Sequence, residues 1–282
     1  MKVLVCTQSS PDATGSADLA SQLGLIVDAD LTLLGIAHSR QDVASTEAAM
    51  DRVTRQLDAA SSVERMLKIG DPSHEIIEAA DQADYDLVVT SRHPKRRLPP
   101  IVTRSGTQSL ARNIASHLLL VRNPPDRIHR ILVCTSGEPP ARHTLGVAGN
   151  LIRRSKVDVS LIHVMSQVAL RPDSPAEELE ESAGEAIERH TREGDRLTEG
   201  VAILTRAGLS QPIQPILRHG PVVDEVLSEI DDGGYDLLVL GSHYQPGLTR
   251  WMDVLLDNVA NALLDRVECS VLIVSPAVPT RP

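Results

Sequence analysis

The residues of this sequence best suited to chemistry gather in three places. Arg92, His93, Lys95, Arg96, Arg97 and Arg104 set five formal positive charges and an imidazole within thirteen residues, a density that fits an anion clamp built from side chains. A charge run of this kind is equally the signature of a solvated loop facing an acidic surface, and the residues leave both readings open. Gly241, Ser242 and His243, with Gly247 beyond them, form the second place. Glycines there let backbone N–H groups close round an anion, or merely turn the chain. Third, Cys6, Cys134, His38, His93 and His243 supply thiols and imidazoles of the kind zinc accepts. Their spacing matches no compact metal signature, so buried structural cysteines and isolated histidines are the simpler account.

Enzyme motifs are scarce. Neither a G-x-S-x-G elbow nor a GxxxxGK[ST] loop occurs, and Arg104-Ser105-Gly106-Thr107 holds hydroxyls with no base beside them in sequence. The carboxylates of Glu177-Glu178-Leu179-Glu180-Glu181 are spaced as a solvated helix face rather than as a general acid and base.

The elements that must position these groups are written twice. Lys2-Val3-Leu4-Val5-Cys6-Thr7 returns as Arg130-Ile131-Leu132-Val133-Cys134-Thr135, 128 residues later. Gly70, Glu75 and Tyr85-Asp86-Leu87-Val88-Val89 return as Gly220, Glu225 and Tyr235-Asp236-Leu237-Leu238-Val239 at an offset of 150, and His117 to Val121 returns as Ser270 to Val274 at 153. The anchors keep their order, so the second copy has gained 22 residues before its third strand and three more in its last loop. Two prolines, Pro124 and Pro125, mark a short linker. Units of 1–123 and 128–278 follow, packed against each other because the join is short.

Inside each copy, short apolar runs alternate with helical spacing. Strands are expected at Val3 to Val5, Leu31 to Ile36, Ser62 to Lys68, Leu87 to Val89 and Leu118 to Val121, and again at Ile131 to Val133, Val159 to Val164, Pro215 to Arg218, Leu237 to Leu240 and Val271 to Val274. Helices are expected near Asp18 to Val27, Val43 to Ala60 and Arg142 to Arg153, with one long helix from Pro175 to about Ala202 capped by Ser174. Doubly buried strands alternating with helices mean parallel pairing with right-handed crossovers. Each copy is therefore an α/β, doubly wound unit of five parallel strands. Ligands of such sheets sit beyond the strands' carboxyl ends, so the loops after the first and fourth strands are the places to look.

Taken together, the I-L-V strand with its polar turn, the D-L-T-L-L strand, the helix start Gly70-Asp71-Pro72 to Glu75-Ile76, the Y-D-L-V-V strand and the Gly241-Ser242-His243 turn resemble the universal stress protein family across essentially the whole chain, as two tandem copies. The resemblance implies strand order 3-2-1-4-5 and pairing through the fifth strands, which a tandem chain would supply internally. It also implies an ATP site, with an Asp after the first strand and a G-x2-G-x9-G-[S/T] loop after the fourth. Both copies depart from that pattern. In the first, Gln8 stands at the Asp position, Ser91, Pro94 and Arg104 stand at the glycines, and Ser105 keeps its type. In the second, Ser136 replaces the Asp, Tyr244 and Gly247 hold the first two glycine positions, and Asp257-Asn258 replaces the terminal pair. An aspartate there would repel a γ-phosphate.

By this reading Thr7, Gln8, Ser91, His93, Arg104 and Ser105 line a first pocket, and Thr135, Ser136, Gly241, Ser242, His243, Gly247 and Asn258 a second. The second is the better candidate for ATP or another adenine nucleotide; neither catalytic nor metal residues are assigned. Composition narrows the partners. With no Phe, three Tyr and one Trp, the chain lacks stacking platforms for single-stranded nucleic acid, and a net charge of -10 repels polyanions and anionic membranes at long range. Three Cys without a CxxC, and no secretory h-region behind Met1, point to the cytoplasm. No apolar run approaches the roughly 20 residues of a membrane span. The leading expectation is a non-enzymatic stress-response binding or regulatory module with degenerate nucleotide pockets. A weak Mg-dependent ATPase using the second unit and a scaffold with empty pockets are the rivals, and a homodimer of the internal pair is a further assembly to test.

Overall fold

The computed structural model describes residues 1–9, 13–57, 63–91, 104–137, 139–165, 181–241 and 259–275. The first unit runs β1 (Lys2–Thr7), α1 (Gly15–Gln22), β2 (Asp30–Ala37), α2 (Val43–Leu57), β3 (Glu64–Ile69), α3 (Pro72–Gln82), β4 (Leu87–Ser91), α4 (Arg104–Asn113) and β5 (His117–Val121). The second runs β6 (Arg130–Thr135), α5 (Pro139–Ile152), β7 (Asp158–Met165), α6 (Ala183–Glu188), α7 (Arg192–Arg206), β8 (Ile213–His219), α8 (Val222–Gly233), β9 (Leu237–Gly241), a helix α9 over 259–266, and β10 (Ser270–Val274).

All ten strands form one sheet, ordered β3-β2-β1-β4-β5-β10-β9-β6-β7-β8. Each half is parallel and has the order 3-2-1-4-5. The halves meet antiparallel, through Leu118↔Ile273, Leu119↔Leu272 and Leu120↔Val271.

Strand pleat splits the apolar side chains into two layers that both cross the seam. Val3, Val5, Leu119, Leu272, Val133 and Val239 face α1, α2, α5 and α7, whereas Leu4, Cys6, Leu120, Val271, Leu132 and Leu238 face α3, α4, α8 and α9. Leu, Ile, Val and Ala dominate both layers, with Met50 in the first and Cys6, Tyr85 and Tyr235 in the second.

Polar anchors fix the ends of the elements. Asp71 caps α3 by accepting from the His74 N–H at 3.1 Å, with Pro72 in the first turn. Asp86 accepts from the Lys2 N–H at 2.8 Å, and its counterpart Asp236 accepts from the His129 and Arg130 N–H groups at 2.7 and 3.1 Å. The repeated Tyr-Asp pair thus ties the fourth strand of each unit to the start of its first. The repeated Gly and Glu have an equally local reason: a Cβ at Gly70 or Gly220 would lie 2.4 or 2.6 Å from Oε1 of Glu75 or Glu225, which folds back over it.

Two expectations need correction. The long helix from Pro175 is instead, in its described part, α6 and α7 with a break between them. His190 takes a left-handed φ of 53°, Thr191 caps α7 by accepting from the Gly194 N–H, and Ser182 opens α6 in a capping box with Glu185. Ser174 lies outside the described residues. The third strands are not buried on both faces: β3 and β8 are the sheet's edges, and most of their residues are half-buried or exposed.

Candidate functional site

Parallel register sets the two candidate pockets. Val5 pairs with Val89 and Val133 with Val239, so one turn of pleat further on Thr7 stands level with Ser91, and Thr135 with Gly241. These are the carboxyl ends of the first and fourth strands, where a doubly wound sheet opens toward a ligand.

In the first unit Thr7 is buried and its Oγ1 donates to the Ala13 carbonyl at 3.4 Å. Gln8 is only 5% exposed, and its Nε2 has no hydrogen-bond partner. Thr90 Oγ1 and Ser16 Oγ are likewise buried without one. Leaving a buried donor unpaired costs about 1–3 kcal/mol, so such groups mark places where a water or ligand completes the structure. Ser91 is buried at the end of β4, while Arg104 and Ser105 open α4. His93 and the rest of the basic run lie outside the described residues.

The second unit is more fully paired. Thr135 Oγ1 accepts from the Gly137 N–H at 3.1 Å, and the Thr135 carbonyl lies 3.1 Å from His163 Nδ1. A carbonyl only accepts, so that nitrogen carries the proton. Ser136 is half-buried beside them. At the end of β9 a Cβ on Gly241 would approach Thr144 Cγ2 and Oγ1 to 2.9 and 3.0 Å, so the glycine lets α5 pack close to the strand. Ser242, His243, Gly247 and Asn258 lie outside the described residues. His163 and Thr144 stand beside Thr135 and Gly241; in sequence His163 is set aside because it lies inside its strand, and Thr144 goes unmarked. Only the register of Thr135 with His163 reveals the first, and no local signal marks the second.

The thiols do not form a metal or nucleophile site among the described residues. All three cysteines are free, and burial pushes each thiol up, Cys134 to about 12 and Cys269 to about 11. His74, Glu75 and Glu78 bring ligand atoms within 4.8 Å of one another, but Lys68 Nζ already lies 2.6 Å from Glu78 and 3.5 Å from Glu75. That ammonium, held above its usual pKa chiefly by its bond to Glu78, supplies the countercharge. In the second unit Tyr235 donates to Glu229 at 3.0 Å and Arg218 grips the same carboxylate, a structural network between β8 and α8.

The universal stress protein family model matches residues 1–122 and again 127–275. The chain belongs to the universal stress protein family. Its fold is that of solved universal stress proteins: one from Archaeoglobus fulgidus DSM 4304 is 14% identical with a TM-score of 0.64, covering 97% of this chain and 98% of that one. A protein of unknown function from Pseudomonas aeruginosa PAO1 is 20% identical with a TM-score of 0.65, covering 98% and 92%. A universal stress protein solved in complex with cAMP is 22% identical with a TM-score of 0.38, covering 52% of this chain and 97% of that one. No curated protein matches the chain. The sheet is dominated by parallel strands, and among the described residues no helix is long and apolar enough to cross a membrane.

Proposed function

We propose that this tandem universal stress family protein is a cytoplasmic, non-enzymatic binding or regulatory module of the stress response, with units at 1–123 and 128–278. Its ligand is a small anion or nucleotide taken at the ends of the first and fourth strands, with ATP or another adenine nucleotide the candidate for the second unit. Thr7, Gln8, Ser91, His93, Arg104 and Ser105 line the first pocket, and Thr135, Ser136, Gly241, Ser242, His243, Gly247 and Asn258 the second. One observation carries the reading: a buried amide donor, Gln8 Nε2, stands unpartnered where a doubly wound sheet opens to ligands. Free thiols, Cys6 buried and Cys134 and Cys269 half-buried, all pushed up in pKa by burial, support the regulatory rather than the enzymatic reading and suit a reducing compartment.

The test is a thermal-shift series with ATP, ADP and AMP, each with and without Mg2+, run beside a phosphate-release assay. A ligand present at 100 times its Kd stabilises the fold by about 2.7 kcal/mol, a rise that is easily read. A shift without turnover is the expected result. Turnover abolished by Gly247→Trp would establish a weak Mg-dependent ATPase in the second unit instead. No shift with any nucleotide would leave a scaffold with empty pockets. Sedimentation of the full chain tests for a further homodimer.

A further inference from the structure

The internal two-fold repeat makes the two ends of the β5–β10 seam equivalent, yet they are built differently. At one end Ser270 Oγ accepts from the Arg122 N–H at 3.1 Å and donates to the Arg122 carbonyl at 3.2 Å. The Arg122 guanidinium, itself 5% exposed on its residue, reaches on to the carbonyls of Leu264 and Val267 and closes the end of α9. At the other end His117 stands where the repeat has Ser270. It is 4% exposed, and its Nδ1 accepts from the Ser275 N–H at 3.1 Å. An amide N–H can only donate, so Nδ1 presents its lone pair and the ring is neutral with its proton on Nε2. The hydroxyl at the first end does not titrate; the imidazole at the second does.

We infer that His117 is an acid-operated latch on this seam: its protonation turns the lone pair facing Ser275 into an N–H, breaks the bond between the units and loosens β5 from β10.

The surroundings set its threshold. Pleat alternation sends His117 to the face of Leu119 and Val121, the face covered by α1 and α5. Asp86, just before β4, draws a proton toward the ring, and the exposed His143 on α5 opposes one. Asp18 is the ionisable group of α1, and the remaining residues of β4, β5 and β10 carry none. Burial outweighs these charges and holds His117 at about 4, down from 6.5. A histidine depressed on folding contributes its full stabilisation above the unfolded value and loses it as pH falls through 6.5 toward 4. Across that window the closing equilibrium weakens on the order of a hundredfold. The bond that His117 makes to Ser275 lies at the end of the three-pair antiparallel ladder joining the units, so the loss is felt there.

Amide hydrogen exchange on the full chain from neutral pH down to pH 4, corrected for intrinsic rates, tests the latch. The wild type is expected to lose at least tenfold protection at Ser275, Leu118 to Leu120 and Val271 to Ile273, while the β1–β2 ladder keeps its own. In His117→Asn, whose side-chain oxygen accepts the same N–H and cannot titrate, the seam should stay protected throughout. Parallel loss in variant and wild type would overturn the inference. If the variant does not fold, nitrogen NMR of the wild-type ring decides. The expected result is the Nε2–H tautomer persisting well below pH 6, and a ring already protonated at pH 6 with Ser275 still protected would sink the latch.

Discussion

The two units share a topology and differ in how strand and helix pack beside the ends of their first strands. In the first, Gly35 lies level with Thr7, and Met50 of α2 fills the space above it: a Cβ at Gly35 would lie 2.2 Å from the Met50 sulfur. In the second, His163 holds the matching register beside Thr135, and the small residue has moved to the helix, where Gly200 of α7 receives Leu161. Small-on-strand with large-on-helix has been exchanged for the reverse. Close packing demands complementarity, not a particular side of it. A duplicated fold can therefore change the chemistry at its strand ends while its sheet stays as it was.

The comparison breaks most severely at Gly194. A Cβ there would sit 2.0 Å from the Ala186 carbonyl oxygen, backbone that cannot swing aside. Gly194→Ala should cost about 3 kcal/mol or more by overpacking, read as a fall in the urea midpoint. Among the described residues the first unit has no counterpart of this α6–α7 corner, so the loss should begin in the second unit.

Next come the repeated aspartates. Asp236 accepts from the His129 and Arg130 N–H groups, and Asp86 accepts from the Lys2 N–H. Asp236→Ala should cost about 3 kcal/mol and Asp86→Ala about 1.5 kcal/mol or more, measured by the same unfolding curves, since each charge-assisted bond contributes about 1.5 kcal/mol or more. Equal losses would mean that the two ties are equivalent.

Gln8→Leu should change stability without ligand by no more than about 1 kcal/mol, with stabilisation the favoured sign, because it removes an unpaired buried donor. The same variant should abolish any thermal shift that arises in the first unit and leave a second-unit shift intact. The smallest effect concerns reactivity. At mildly alkaline pH native Cys6 should label with a thiol reagent more slowly than Cys134, because Cys6 is buried and Cys134 half-buried, although burial raises both thiols. In strong denaturant the two rates should converge.

Much of the fold was legible because it rests on local patterns: alternating apolar runs, the spaced anchors and the Tyr-Asp pair repeat in order, and parallel pairing follows from their burial. The edge position of β3 and β8 was not legible, because exposure of a strand depends on which neighbours the sheet supplies. The break at His190 escaped because the charged stretch keeps helical spacing on both sides of it, although Ser182 and Glu185 carry the spacing of a capping box. Of the pocket, Thr7, Gln8, Thr135 and Gly241 were marked by their place after strands. His163 was not, since a residue inside its strand comes level with Thr135 only through the register of parallel neighbours.

The sequence by itself determined that there are two copies, that each alternates strand with helix, and where each strand lies to within one or two residues, because these depend on residue type and spacing along one chain. Only the tertiary structure decided that both halves share one sheet, that Gln8 keeps a donor without a partner, and that His117 faces Ser275 from 158 residues away. Those facts are set by packing across the seam and by the register between neighbouring strands, which bring together groups that no local pattern relates.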